Sequence, residues 1–229
     1  MTGAKKRDLE GASILLVGAT GVLGREIGQR LAKLGAHLTL FGRDEARLRA
    51  LGLPGPQVVG DIADAEACQE AVWAAISAHG QLDGVVNAAG VVAFGAFGAV
   101  DDGTVDELVT TNFLGPLRLM RAALPEIEEG GFLANLSAVV AEKPTAGMAV
   151  YSASKAALTA LDAALAREFR ARKVDVIDLR PPHTETGLAD RPIAGQAPRL
   201  PAGRRPDVVA ERIVQAIECR ERVVAANEF

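Results

Sequence analysis

The stretch that most restricts how this chain can fold is residues 13–24, where Ser13-Ile14-Leu15-Leu16-Val17 runs into Gly18-Ala19-Thr20-Gly21-Val22-Leu23-Gly24. A short, continuously apolar run ended by glycine reads as a strand buried on both faces. A helical pattern then occupies residues 25–34. Strand, glycine-rich turn and helix, in that order, make a cradle for a nucleotide phosphate. Glycine permits the tight turn and close approach of backbone, and the positive end of the helix attracts an anion.

The alternation continues downstream. Residues 37–41 read as a second strand ending at Gly42-Arg43-Asp44. About twenty residues past the glycines, a dinucleotide fold places the group that reads the adenosine ribose: an acid for a free 2′-hydroxyl, an arginine for a 2′-phosphate. Arg43, with Arg47 one helical turn on, favours NADP over NAD, and Asp44 reads as the N-cap of a helix through Leu51. A third strand is expected at 57–60 with Asp61 at its end, then a helix at 65–77 that carries Trp73 as core packing, and a fourth strand at 82–86 closed by Asn87-Ala88-Ala89-Gly90. The pattern further predicts a loop over 91–98 and a helix from Asp101 or Thr104 to Ile127, kinked at Gly115-Pro116. A fifth strand at 131–137, a helix from Tyr151 to about Arg172 and a sixth strand at 174–179 follow. Segment 188–206, with Pro192, Pro198, Pro201 and Pro206, reads as a lid; Asp207 then caps a helix to Cys219, and 222–226 forms a last strand. The expected fold is one α/β domain over 1–229: a doubly wound parallel sheet of about seven strands, helices on both faces, ligand at the strand C-termini.

A net charge of −4 argues against nucleic acid or an anionic membrane as partner. The basic runs Lys5-Lys6-Arg7 and Arg204-Arg205 read as a frayed terminus and a solvated loop. Cys68 and Cys219 are unpatterned, which indicates neither a metal site nor a disulfide framework and fits a reducing cytoplasm. Residues 1–10 lack the apolar stretch of a leader, and no window is long and apolar enough to span a bilayer, so no membrane partner is expected.

The chemistry concentrates at Tyr151-Ser152-Ala153-Ser154-Lys155, which holds the only tyrosine. Positions i and i+4 share one helix face, so the phenol and the ammonium can enter one pocket. A phenol is a poor acid near neutral pH, and a nearby cation favours its ionised form. The pair is a candidate for proton transfer.

Taken with the glycine turn, Asn87-Ala88-Ala89-Gly90 and Asn112, this pair resembles the short-chain dehydrogenase/reductase family over residues 11–223, a single-domain Rossmann type. The resemblance implies an NAD(P)-dependent oxidoreductase acting on a small or medium carbonyl or alcohol. Tyr151 would be the acid or base on the substrate oxygen, Lys155 would lower its pKa and hold the nicotinamide ribose, and Asn112 would support a proton relay. Gly18, Thr20, Gly21, Val22, Leu23 and Gly24 would wrap the pyrophosphate, Asp61 and Ile62 would contact adenine, and Asn87, Ala88, Ala89 and Gly90 would line the adenosine ribose side. Pro181, Thr184 and Thr186 would lie beside the nicotinamide, with Thr186 as carboxamide partner. An apolar substrate site would include Ala93, Phe94, Ala138, Val139, Val140 and Met148, with His183 from the lid. The family also implies a homodimer or homotetramer built on the Asn112 and Tyr151 helices.

Departures from the family pattern bear on activity. Val22 stands where most single-domain members have glycine, and Pro182 replaces the glycine that usually follows proline there, stiffening the lid hinge. The position of the catalytic serine, thirteen residues before the tyrosine, is Ala138. Ser137 is its neighbour, but adjacent side chains on a strand face opposite ways, so it serves only after a local twist. Thr145 and His183 are other candidate donors. The alternatives to an oxidoreductase are a cofactor-binding sensor or regulatory protein with weak turnover, or a dehydratase or isomerase on the same fold.

Overall fold

The computed structural model describes residues 6–229. Lys5 and the start of the N-terminal segment read above lie outside them.

The seven strands form one parallel sheet in the order β3-β2-β1-β4-β5-β6-β7. They are β1 Ser13–Val17, β2 His37–Gly42, β3 Gln57–Val59, β4 Leu82–Asn87, β5 Ile127–Leu136, β6 Asp175–Leu179 and β7 Val223–Val224. Strand order reverses between β1 and β4, and that crevice is where an open α/β sheet binds ligand. Alternation along β1 builds two cores. Ile14 and Leu16 meet Ile27 and Leu31 of α1 (Val22–Lys33), Leu48 of α2 (Glu45–Arg49) and Ile213 and Ile217 of α7 (Pro206–Cys219). Leu15 and Val17 face α3 (Ala65–His79), α5 (Gly115–Ala123) and α6 (Ala149–Glu168) through Val72, Leu119 and Leu158. The doubly wound sheet with helices on both faces is as the sequence indicates. Between α3 and α5 lies α4 (Asp102–Val109), capped by Asp101, whose carboxylate accepts from Thr104 N–H at 2.8 Å.

Several boundaries differ from the sequence reading. The helix expected to run to Ile127 ends at Ala123, and Ile127 already pairs with Leu82 in the sheet. Its irregularity is a wide π turn over Thr110–Leu114, not a kink at proline. Pro116 has no N–H to close a normal turn on the Asn112 carbonyl, and the Gly115 N–H reaches back to Thr110 instead. Arg205 is the N-cap of α7, with Pro206 at its first position, while Asp207 sits in the first turn and pairs with Arg205 at 2.5 Å. Trp73 is not core: it is 59% exposed on α3, because its helical neighbours Ala71, Val72 and Ala75 occupy the buried face.

Arg7 is no frayed residue. Its guanidinium is 7% exposed and lies over the Phe132 ring at 4.6 Å. It donates to the Ile217 carbonyl at 2.6 Å and pairs with Asp175 at 2.7 Å, tying α7, β5 and β6 together at the sheet's N-terminal edge.

Candidate active site

A cavity of about 740 Å³ runs along the C-terminal edge of the sheet, from the β1–α1 turn to α6 and segment 188–201. Its first wall is the glycine turn. Gly18 has φ +73°, and a side chain there would press on Ala89 N at 2.7 Å. A side chain at Gly24 would strike the Gly18 carbonyl. The α1 N-terminus carries no side-chain cap and no acid in its first turn, and Val22, Leu23 and Gly24 line the cavity beside Thr20 and Gly21. The first N–H groups of a helix have no partner within it, so this end is built to accept an anion. Arg47 donates to the Thr20 carbonyl at 2.8 Å and steadies the turn. The cradle therefore fits a dinucleotide pyrophosphate.

At the β2 end, Arg43 is 63% exposed and pairs with Asp61 at 3.5 Å, both on the cavity wall with Ile62. Asp44 accepts from Arg47 N–H at 3.0 Å as the cap of α2, so this acid is committed to the helix. The opposite wall is the strip after β4, where Ala88, Ala89 and Gly90 reach the cavity and Asn87 does not. Asn87 lies beneath, 1% exposed, accepting from Ala89 N–H at 3.2 Å and donating to Asn135 at 3.0 Å.

Asn112 is likewise behind the wall. Fully buried in the π turn, its side chain accepts from Val91 N–H at 3.0 Å and donates to the Val91 carbonyl at 2.9 Å. It fixes the chain that follows the strip, rather than presenting its amide to the cavity.

Tyr151 and Lys155 both line the cavity from α6. The ring of Tyr151 is 7% exposed, in a third apolar cluster built from Val92, Phe94, Leu108, Ala138 and Val140, with Met148, Leu188 and Ile193 packed against it. Burial pushes its phenol up to about 12. This reverses the direction expected from a neighbouring cation, because burial is the influence acting on the ring and the ammonium is engaged elsewhere. Lys155, 4% exposed, donates to the Leu136 carbonyl at 2.9 Å. Burial lowers it to about 8, against the attraction of Asp178 and Asp162, which raises it. The carbonyl that holds the ammonium is a backbone group and leaves no trace in residue identity.

Ser137 does not turn toward Tyr151. Its hydroxyl donates to Asp178 at 2.5 Å and lies 3.1 Å from the Leu179 carbonyl, inside the sheet. Alternation along extended backbone explains this, since Ala138 at φ −173° keeps the chain extended and sends its own methyl to the cavity side. Thr145 also lines the cavity, its hydroxyl donating to the Lys143 carbonyl at 3.1 Å. Val139 and Met148 are on the wall; Ala93, expected there, is behind it.

Pro181, His183, Thr184 and Thr186 line the remaining side. Thr184 pairs with Arg204 in an isolated parallel bridge, closing the base of the intervening loop. Its far end is bound to the loop after the β4 strip: Ile193 N–H donates to the Val92 carbonyl at 2.9 Å, and Phe94 N–H to the Ala194 carbonyl at 3.0 Å. Gly195, at φ +72°, passes so close to the Phe94 carbonyl that any side chain would collide. The proline-rich segment is thus a roof, and its side chains complete the apolar cluster around Tyr151.

The short chain dehydrogenase family model matches residues 12–196. An uncharacterised oxidoreductase of Methylorubrum extorquens is 32% identical over 219 residues, covering 88% of each chain. Dehydrogenase/reductase SDR family member 7B of Xenopus laevis is 30% identical over 244 residues, covering 96% of this chain and 75% of that one. Among solved structures, a short-chain dehydrogenase of Burkholderia cenocepacia in complex with NADP superposes with a TM-score of 0.86 at 26% identity, covering 97% of this chain and 98% of that one.

Proposed function

Since the chain belongs to the short-chain dehydrogenase/reductase family and is an oxidoreductase of it, we propose that it reduces an apolar, small or medium ketone or aldehyde with NADPH, Tyr151 giving the proton. The observation that carries this is the burial of Tyr151 in an apolar cluster on the wall of the same cavity as the α1 N-terminus, which has no side-chain cap. The phenol is protonated at neutral pH, the form reduction requires, but burial pushes it up to about 12 and so makes it a weaker acid that needs help to give up its proton.

The glycine turn and the α1 N-terminus would hold the pyrophosphate, Ala88 to Gly90 the adenosine side, and Thr186 the carboxamide. Arg43 would read a 2′-phosphate. When bound, the nicotinamide supplies the hydride to the carbonyl carbon. Tyr151 passes its proton to the carbonyl oxygen. The Lys155 ammonium, protonated for the most part below pH 8 and one turn along the same face of α6, would have to turn from the Leu136 carbonyl to stabilise the phenolate left behind. Val92, Phe94, Val140, Met148 and Leu188 keep water from that proton. Ala138 offers no hydroxyl to the developing oxyanion, so we expect modest turnover: one missing donor of this type costs about 10²- to 10³-fold.

The test is titration with NADPH and NADH, followed by a panel of ketones and aldehydes monitored by nicotinamide absorbance. NADPH should bind more tightly and be consumed. Tight binding without turnover across a broad panel, and no change on Tyr151→Phe, would sink the enzyme reading in favour of a binding protein. NADH binding at least as tight would overturn the role of Arg43. The homodimer or homotetramer that the family suggests is tested by sedimentation of the free protein.

A further inference from the structure

Behind the strip that follows β4, a line of buried polar groups crosses the sheet. Ala89 N–H donates to Asn87, Asn87 donates to Asn135 of β5 at 3.0 Å, and Asn135 donates to Asp162 of α6 at 2.7 Å. All three side chains belong to residues at most 1% exposed. The sense of the line is fixed at one end, because a backbone N–H can only donate. Each amide is therefore oriented, and the last group must accept. The second Asp162 oxygen is buried without a partner among the described residues. No glycine turn or sheet pairing uses this carboxyl, and its reach toward the proton-transfer pair is limited to its attraction for the Lys155 ammonium.

We infer that Asp162 is a positioning residue for the nucleotide: it anchors the Asn135–Asn87 line and thereby sets the height of the Ala88–Gly90 strip against the Gly18 turn. That turn leaves no slack, since a single added carbon at Gly18 would already press on Ala89 N. Without the acceptor, Asn135 keeps an unmet buried N–H, whose weak alternative is the Met120 sulfur at 3.5 Å. The least costly remedy is for the amides to turn over, which releases Ala89. The assignment of nucleotide as ligand rests on the function proposed above; the position of the strip does not.

Two readouts keep these apart. In the free protein, Asp162→Leu should raise hydrogen exchange at the Ala89 amide by about tenfold or more, while Asp162→Asn, which retains the accepting oxygen, should leave it at the wild-type rate. In nucleotide titrations, Asp162→Leu should weaken binding about tenfold and raise the nucleotide KM, and Asp162→Asn, which removes the same charge but keeps the accepting oxygen, should restore both. Should the leucine variant fail to fold, Asp162→Ser breaks the same bond with a smaller side chain. Wild-type exchange at Ala89 in a folded Leu or Ser variant would overturn the inference, as would equal loss in the Asn variant. Faster exchange with no nucleotide binding by any form, wild type included, would keep the positioning role and discard the proposed cofactor.

Discussion

At the scale of single residues, the site is a contest between burial and charge, and burial prevails at both members of the central pair. Replacing Tyr151 by Phe removes the proposed proton donor and should cut kcat by about 10²- to 10⁴-fold with nucleotide binding intact, read by steady-state kinetics and titration. Ala138→Ser places a hydroxyl on the cavity wall and should raise carbonyl reduction by about tenfold or more; no gain would point to a donor already present elsewhere. Lys155 gives a pH signature. Its folded value near 8 lies below the ordinary 10.5, so between the two the unfolded chain binds more protons, and stability climbs as pH rises through that window. Tyr151 acts in the opposite sense above its ordinary value of 10.0. Urea unfolding should therefore show the free protein gaining stability from pH 7.5 to 9.5, a gain absent from Lys155→Met. Residue identity and helical spacing made Tyr151 and Lys155 legible from the sequence, and strand alternation foretold the inward turn of Ser137. The direction of the phenol's shift was not legible, because its cause is burial in a cluster gathered from remote parts of the chain, Val92 and Phe94 on one side and Leu188 and Ile193 on another.

At the scale of elements, the glycine turn with its helix was fully legible, because a short apolar run, a tight turn and a helix constrain one another locally. The π turn was not, since a helical pattern is nearly indifferent to one wide turn, and Pro116 points to a break without saying which kind. The roof was legible only as a proline-rich loop; its anchors are backbone groups of Val92 and Phe94. Gly195 exposes that anchorage to test. Any side chain there collides with the Phe94 carbonyl and resists the positive φ, so Gly195→Ala should detach the far end of the roof. The expected outcome is a substrate KM raised about tenfold with unchanged nucleotide affinity, because the roof carries the proposed substrate wall and not the glycine turn.

For the whole molecule, alternation of strands and helices was enough to foresee the layers and the ligand edge. What joins the opposite edge was hidden. Arg7 looked like one of several terminal charges, because its partners Phe132, Asp175 and Ile217 converge only once the sheet exists. Arg7→Ala leaves Asp175 with Arg220 alone, at 3.0 Å, and should cost about 3 kcal/mol of unfolding free energy without altering nucleotide affinity, since the lesion lies at the far edge of the sheet from the cradle.

The scarcity of aromatic rings gives this fold an optical consequence. Its one tyrosine is Tyr151 and its one tryptophan, Trp73, stands in solvent. Indole emission should therefore begin red-shifted and move little on unfolding, which makes it a dull reporter here. The phenolate band belongs to a single group, so an ultraviolet titration reads the proposed proton donor with no other tyrosine beneath it. The native protein should show little absorbance in that band near pH 10, where an exposed phenol is half ionised; a native-state rise centred there would overturn the burial of the ring.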